Sequence, residues 1–140
     1  MYQKLIVIGR LGRDPEMRYT PAGQPVTSFS IATDRQWSQD GAGEAGAGKP
    51  FKETTWFRVI TWGKMAEACN NFLQKGKLVM VEGRLSVDAK TGGPRIWEGK
   101  EDHAAHTQFE IVAATVKFLS PHTDDGAGQP EEPPVEDIPF

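Results

Sequence analysis

Apolar and polar positions alternate with a period of two along several stretches of this chain, and that period predicts strands. Residues 25–33 (PVTSFSIAT) put Thr27, Phe29, Ile31 and Thr33 on one face and Ser28, Ser30 and Ala32 on the other. Residues 54–62 (TTWFRVITW) put Phe57, Val59 and Thr61 on an ordinary core face, opposite Trp56, Arg58, Ile60 and Trp62. The apolar run at 4–9 (KLIVIG) reads as a buried strand, and residues 78–87 and 109–119 complete five predicted strands. Between the third and fourth, Met65, Ala66, Cys69, Phe72 and Leu73 recur at three- and four-residue spacing, which predicts a helix. Gly76 is expected as its left-handed C-cap, with Lys75 complementing the negative end of the dipole. Three strands, a helix and two strands predict a small closed all-β barrel.

Two connections are long for such a barrel. Residues 38–52 are polar and glycine-rich, and residues 88–107 carry a turn signal at Gly92, Gly93 and Pro94. Each is expected to be a functional arm or a disordered loop. Beyond residue 120, Pro, Gly and acidic residues dominate and no aromatic appears before Phe140. Such a segment buries too little surface to offset its ordering entropy. The expected organisation is a domain over 1–119 and a disordered acidic tail over 120–140.

Composition adds limits. A chain of 140 residues, 38% of them apolar, with 15 Gly and 10 Pro, holds one modest core. The single Cys69 excludes an internal disulfide and fits a reducing compartment. The first apolar run is too short for a signal peptide or a membrane span, so a cytoplasmic protein is expected. The net charge of −3 first argues against a polyanionic ligand, but its distribution reverses that. All 16 basic residues precede residue 119, together with 13 of the 19 acidic ones. A basic body carries an acidic tail.

The stretch at 41–50 (GAGEAGAGKP) imitates two nucleotide-binding fingerprints. Neither has its context: a phosphate loop needs a strand before it and a helix after it, and Pro50 stands where the Mg²⁺-binding hydroxyl belongs. The stretch reads as a mobile linker. The Trp56, Arg58 and Trp62 face offers two indoles with a guanidinium between them, and Lys64 follows. Such a surface stacks bases and neutralises phosphates; its other reading is a core or subunit interface. Trp37 and Trp97 lie in or beside the long connections, where a core role is not expected, and Lys4, Arg10, Arg18, Lys75, Arg84 and Arg95 offer a phosphate track. Asp102, His103 and His106 lack a fourth ligand at zinc spacing, so no metal is expected. No nucleophile–base arrangement or apolar carboxylate pair appears, so no enzymatic activity and no cofactor are expected. The final VEDIPF joins acidic Glu136 and Asp137 to Ile138, Pro139 and Phe140, the form of a docking peptide.

These residues together resemble the bacterial single-stranded-DNA-binding proteins. KLIVIGRLGRDPEMRYTPAG is similar to that family's first strand and following turn, TTWFRVITWGKMAE to its third strand and helix start, FLQKGKLVMVEGRL to its helix end and fourth strand, and EDIPF to its acidic tip. The resemblance implies an oligonucleotide/oligosaccharide-binding (OB) barrel of five strands, a homotetramer, and sequence-independent binding of single-stranded DNA without catalysis. It implies base stacking by Trp37, Trp56 and Trp62, and Trp97 is expected to join them. It implies phosphate contacts from Lys4, Arg18, Arg58, Lys64 and Lys75. It implies recruitment of replication, recombination and repair proteins by Asp137, Ile138, Pro139 and Phe140. Both arms are longer than in common members, and Phe57 stands where His is frequent. A protein-assembly adaptor or an RNA-binding protein on the same fold remain the alternatives.

Overall fold

In the computed structural model, which describes residues 2–37 and 51–120, alternation decides which side of each strand meets the core. The chain forms β1 (Leu5–Leu11), β2 (Glu16–Tyr19), β3 (Pro25–Trp37), β4 (Phe51–Trp62), α1 (Gly63–Phe72), β5 (Leu78–Leu85), β6 (Ile96–Glu98), β7 (Ala105–Thr107) and β8 (Phe109–Phe118). The main sheet runs β1-β5-β8-β4-β3-β2, and a further β1–β3 pairing closes β1, β5, β8, β4 and β3 into a barrel. All its ladders are antiparallel except β4–β8. Gly9 makes closure possible, because a Cβ there would come within 2.5 Å of the Ala32 carbonyl oxygen. The helix lies between the third and fourth barrel strands, as expected for the OB fold.

The core confirms the faces read from β3 and β4. Phe29, Ile31, Val59, Val79, Val81 and Ile111 fill the barrel, and Leu73 and Cys69 close it from the helix side. Thr27 and Thr61 are buried among them with their hydroxyls satisfied. Thr27 Oγ1 donates to the Ala66 carbonyl at 2.7 Å, and Thr61 Oγ1 donates to the Thr27 carbonyl at 3.0 Å. The first bond fastens α1 across the end of the barrel and the second ties β4 to β3 beneath it, where an unpaired hydroxyl would cost stability.

Several expectations are corrected. The run at 4–9 is buried on one side only: Val7 faces the core, while Ile6 and Ile8 are more than half exposed. Phe72 leaves the helical stripe for the surface and packs against Phe118, with ring centroids 6.2 Å apart. The helix stops earlier than predicted because Leu73, its C-cap, turns into the core in an extended conformation. Gly76 does take a positive φ of 86°, but in the turn that Lys77 N–H closes onto the Gln74 carbonyl. A further strand, β2, too short to show a period, lies along the start of β3, residues 25–28, as an edge strand. The connection at 88–107 folds in part, as the β6–β7 hairpin.

The arm between β3 and β4 begins as a ladder that persists to the pair Trp37–Phe51. At its base, Thr54 Oγ1 donates to Asp34 Oδ1 at 2.7 Å and Lys52 Nζ reaches Asp34 Oδ2 at 3.2 Å. These partners, Thr54 first, hold the Asp34 carboxyl below its ordinary value. The glycine stretch at 41–49 and Pro50 lie outside the described residues, as does the Trp37 side chain, but the element that follows Pro50 is strand β4, not a phosphate-binding helix.

Candidate nucleic-acid interface

Strand β4 has two different sides. Val59 and Thr61 enter the core, while Trp56, Arg58 and Trp62 point outward and remain exposed. The neighbouring strand gives them room. Across the ladder Trp56 is paired with Ala32, Arg58 with Ser30, Ile60 with Ser28 and Trp62 with Val26. Small side chains beside two indoles leave an open lane where bulky neighbours would fill it. At the rise of a strand, Trp56 and Trp62 stand about 20 Å apart.

Three connected depressions follow this lane. Trp56, Thr54, Phe109, Pro94, Trp97, His106 and Arg13 line a groove of about 720 Å³ between β4 and the β6–β7 hairpin. Arg13, Arg18 and Arg58, with the carboxylates of Asp14 and Glu16 beside them, surround a second of about 190 Å³, almost wholly polar. Arg18, Tyr19, Val26, Arg58 and Ile60 line a third, of about 280 Å³. Arg13 joins the first to the second, and Arg18 and Arg58 join the second to the third. Val26, paired with both Arg18 and Trp62, carries the path to the second indole.

The predicted site residues divide accordingly. Trp56, Arg58, Trp97 and Arg18 meet along this path, and Trp62 stands at its end. Arg18 keeps only a long, exposed contact to Glu16, 3.6 Å, which leaves its guanidinium available in water. Lys64 follows in the first turn of α1, exposed. Lys75 is brought to the loop after β1, since its N–H donates to Asp14 Oδ1 at 2.8 Å and Gly76 N–H donates to the Leu11 carbonyl at 2.8 Å. Lys4 stands apart. Its Nζ is 2.6 Å from Glu82 Oε1, in a depression lined by Tyr2, Gln3, Gly83 and Arg84 that shares no residue with the path. The hydrogen bond to Glu82 raises the Lys4 ammonium above its ordinary value. Asp137, Ile138, Pro139 and Phe140 lie outside the described residues.

Sequence reasoning missed Arg13 and Gly12. Neither belongs to a strand, so neither carries a periodic signal. Arg13 borders both the indole groove and the arginine cleft. Gly12 lies under the Trp56 ring. No cluster of metal-binding residues occurs among the described residues. No helix among them is long and apolar enough to cross a membrane.

Known proteins resemble this chain in sequence and in fold. Residues 2–119 match the model of the Single-strand binding protein family. A single-stranded DNA-binding protein of Neisseria meningitidis is 37% identical over 129 residues, 92% of this chain and 66% of that protein. The chain thus spans about two thirds of that relative's length. The Thermotoga maritima single-stranded DNA-binding protein is 37% identical over 131 residues, 94% of this chain and 83% of its own. Among solved structures, a Plasmodium falciparum SSB in complex with ssDNA superposes with a TM-score of 0.63 at 23% identity, covering 86% of this chain and 96% of that one. A deletion mutant of the single-stranded DNA binding protein from Thermus aquaticus gives 0.60 at 27% identity, over 85% of this chain and 51% of that one. An OB barrel with this exposed indole and guanidinium face, matched over nearly all its length, makes the chain a member of the single-strand binding protein family.

Proposed function

We propose that the protein binds and protects single-stranded DNA without regard to sequence, in replication, recombination and repair. The observation that carries this reading is the outward side of β4: Trp56, Arg58 and Trp62 stand exposed beside Ala32, Ser30 and Val26. Bases stack on indoles whatever their identity, at roughly 1–3 kcal/mol each, and three arginines along one path neutralise successive phosphates. In OB folds generally this pair of strands and the adjoining loops form the oligonucleotide surface. The relatives named above are single-stranded DNA-binding proteins, which supports the same reading. Nothing in it requires a reaction, a metal or a cofactor.

The reading includes a homotetramer. Ile6 and Ile8 turn an apolar side of β1 outward, and a second copy would remove that surface from water. A solution mass four times 15.4 kDa is expected, and a monomer would refute this part. The reading also gives Asp137, Ile138, Pro139 and Phe140 the role of recruiting replication, recombination and repair proteins. The segregation of six acidic residues beyond residue 118, with no basic one, supports it.

Intrinsic tryptophan fluorescence titrated with poly(dT), with single-stranded RNA and with duplex DNA tests the central claim. Strong quenching by poly(dT), weakening as salt rises, is expected. Equal competition by duplex would end the single-strand reading, and a clear preference for RNA would redirect it to RNA binding.

A further inference from the structure

The β6–β7 hairpin holds a side-chain arrangement that the barrel does not require. Trp97 on β6 is paired directly with His106 on β7, and the two rings stack with centroids 5.9 Å apart and planes 26° from parallel. The far edge of the imidazole is fixed in turn. His106 Nε2 donates to Asp102 Oδ2 at 2.7 Å, while Asp102 Oδ1 accepts from the Ala104 N–H at 3.1 Å. Asp102 is therefore held at both oxygens. Gly99 leaves the space for this: a Cβ there would overlap the Asp102 carboxylate and press on His106 Nε2. The turn is closed by Gly99 N–H to the Ala104 carbonyl at 2.9 Å and by His103 N–H to the Gly99 carbonyl at 3.1 Å.

Trp97 and His106 line the 720 Å³ groove together with Trp56. Trp97 keeps 47% of its surface exposed, as does Trp56, so neither indole is consumed by packing. Two exposed indoles on one open groove, with Arg13 also lining it, provide stacking surfaces and a cation for a single strand. A three-residue strand pair is marginal alone, and a cross-strand aromatic pair is what orders it.

We infer that His106, held by Asp102, is the residue that positions Trp97 on the groove wall in the orientation in which it stacks a base. The inference rests on the proposed binding of single-stranded DNA. Asp102 and His106 act through Trp97; they form neither a metal site nor a phosphate contact.

The test compares equilibrium binding of a dT oligomer by the full chain and its variants across a salt series. Trp97→Leu is expected to weaken binding about tenfold, within the lower half of the range for losing one stacked base. His106→Ala and Asp102→Asn are expected to weaken it by smaller factors, about threefold to fivefold. His106→Ala added to Trp97→Leu should bring no further loss, since both remove one element. The salt slope should be the same in wild type and His106→Ala, because no phosphate contact is lost. His106→Phe keeps the stacked ring and should retain more binding than His106→Ala, and His103→Ala should bind as wild type does. Wild-type binding by His106→Ala or Trp97→Leu, additive losses in the double variant, or a shallower slope for His106→Ala would each overturn the inference. A wild-type chain that does not bind dT would instead overturn the proposed function.

Discussion

The indole of Trp56 rests on Gly12. A Cβ on Gly12 would lie 2.5 Å from one six-membered-ring carbon of Trp56 and 2.6 Å from the next, closer than real contacts allow. Gly12 is also tied to the neighbouring strand, its N–H donating to the Ser30 carbonyl at 3.1 Å. The loop after β1 is therefore the floor that sets how the Trp56 ring faces the groove.

Gly12→Ala is expected to tilt or lift the indole while the barrel stays folded. Partial loss of one stacking surface, about 1 kcal/mol, corresponds to roughly fivefold weaker dT binding. Fluorescence titration should show reduced quenching with little change in melting temperature. Undiminished binding would mean that the ring orientation set by Gly12 does not matter.

Arg58 and Arg13 border the same polar cleft, and the structure records no ion pair for either among the described residues. If each takes one phosphate, Arg58→Met and Arg13→Met should each lower the slope of log affinity against log salt by about 0.7. Affinity should fall similarly for dT, dA and dC oligomers, because a phosphate contact carries no sequence information. A loss confined to one base would assign these arginines to base edges.

Cys69 is buried in the core, and burial pushes its thiol up from 9.0 to about 11, against a smaller lowering by Thr61. The folded chain should resist iodoacetamide at pH 8, and the unfolded chain should react promptly. The sign for stability follows from proton uptake. Between pH 9 and 11 the native thiol keeps a proton that the unfolded one releases, so this group's contribution falls as pH rises through that window. Fast labelling of the native protein at pH 8 would contradict the burial.

If the acidic segment competes with DNA for the basic path, removing it changes affinity through charge. Ser120 belongs to the barrel, since its Oγ accepts from the Leu78 N–H at 2.7 Å, so the truncation to make removes 121–140 and spares it. That truncation removes six acidic residues from a chain whose first 118 residues carry a balance of +3. Tighter dT binding at low salt is expected, with the difference vanishing at high salt as screening removes the competition. No change, or weaker binding, would sink the idea that the segment competes with DNA.

The parts legible in advance were those with a period. In β3 and β4 a strict alternation names the core residues and the outward Trp56, Arg58 and Trp62 at once, and burial agrees with it. In the run at 4–9 only Lys4, with Arg10 just beyond, shares the parity of Ile6 and Ile8, and two flanking charges are a weak signal against four consecutive apolar residues. Strand β6 has three residues, too few to show alternation, and it is ordered by Trp97 and His106 meeting across a turn. Arg13 joins Arg18 and Arg58 only because β2 folds back along β3, a convergence that no local pattern encodes. The end of α1 is hidden from the sequence because Leu73 satisfies helical spacing and a buried extended position equally well.

Strand β4 serves the interior with one set of residues and the groove with the set between them. A single inserted residue in 56–62 would therefore exchange the two sets, driving Arg58 and the indoles inward and Val59 and Thr61 into water. The segment can vary in side chains but hardly in length. By the same argument an inserted residue is tolerated in the connections at 38–50 and 88–107, where no shared alternation has to be kept in step.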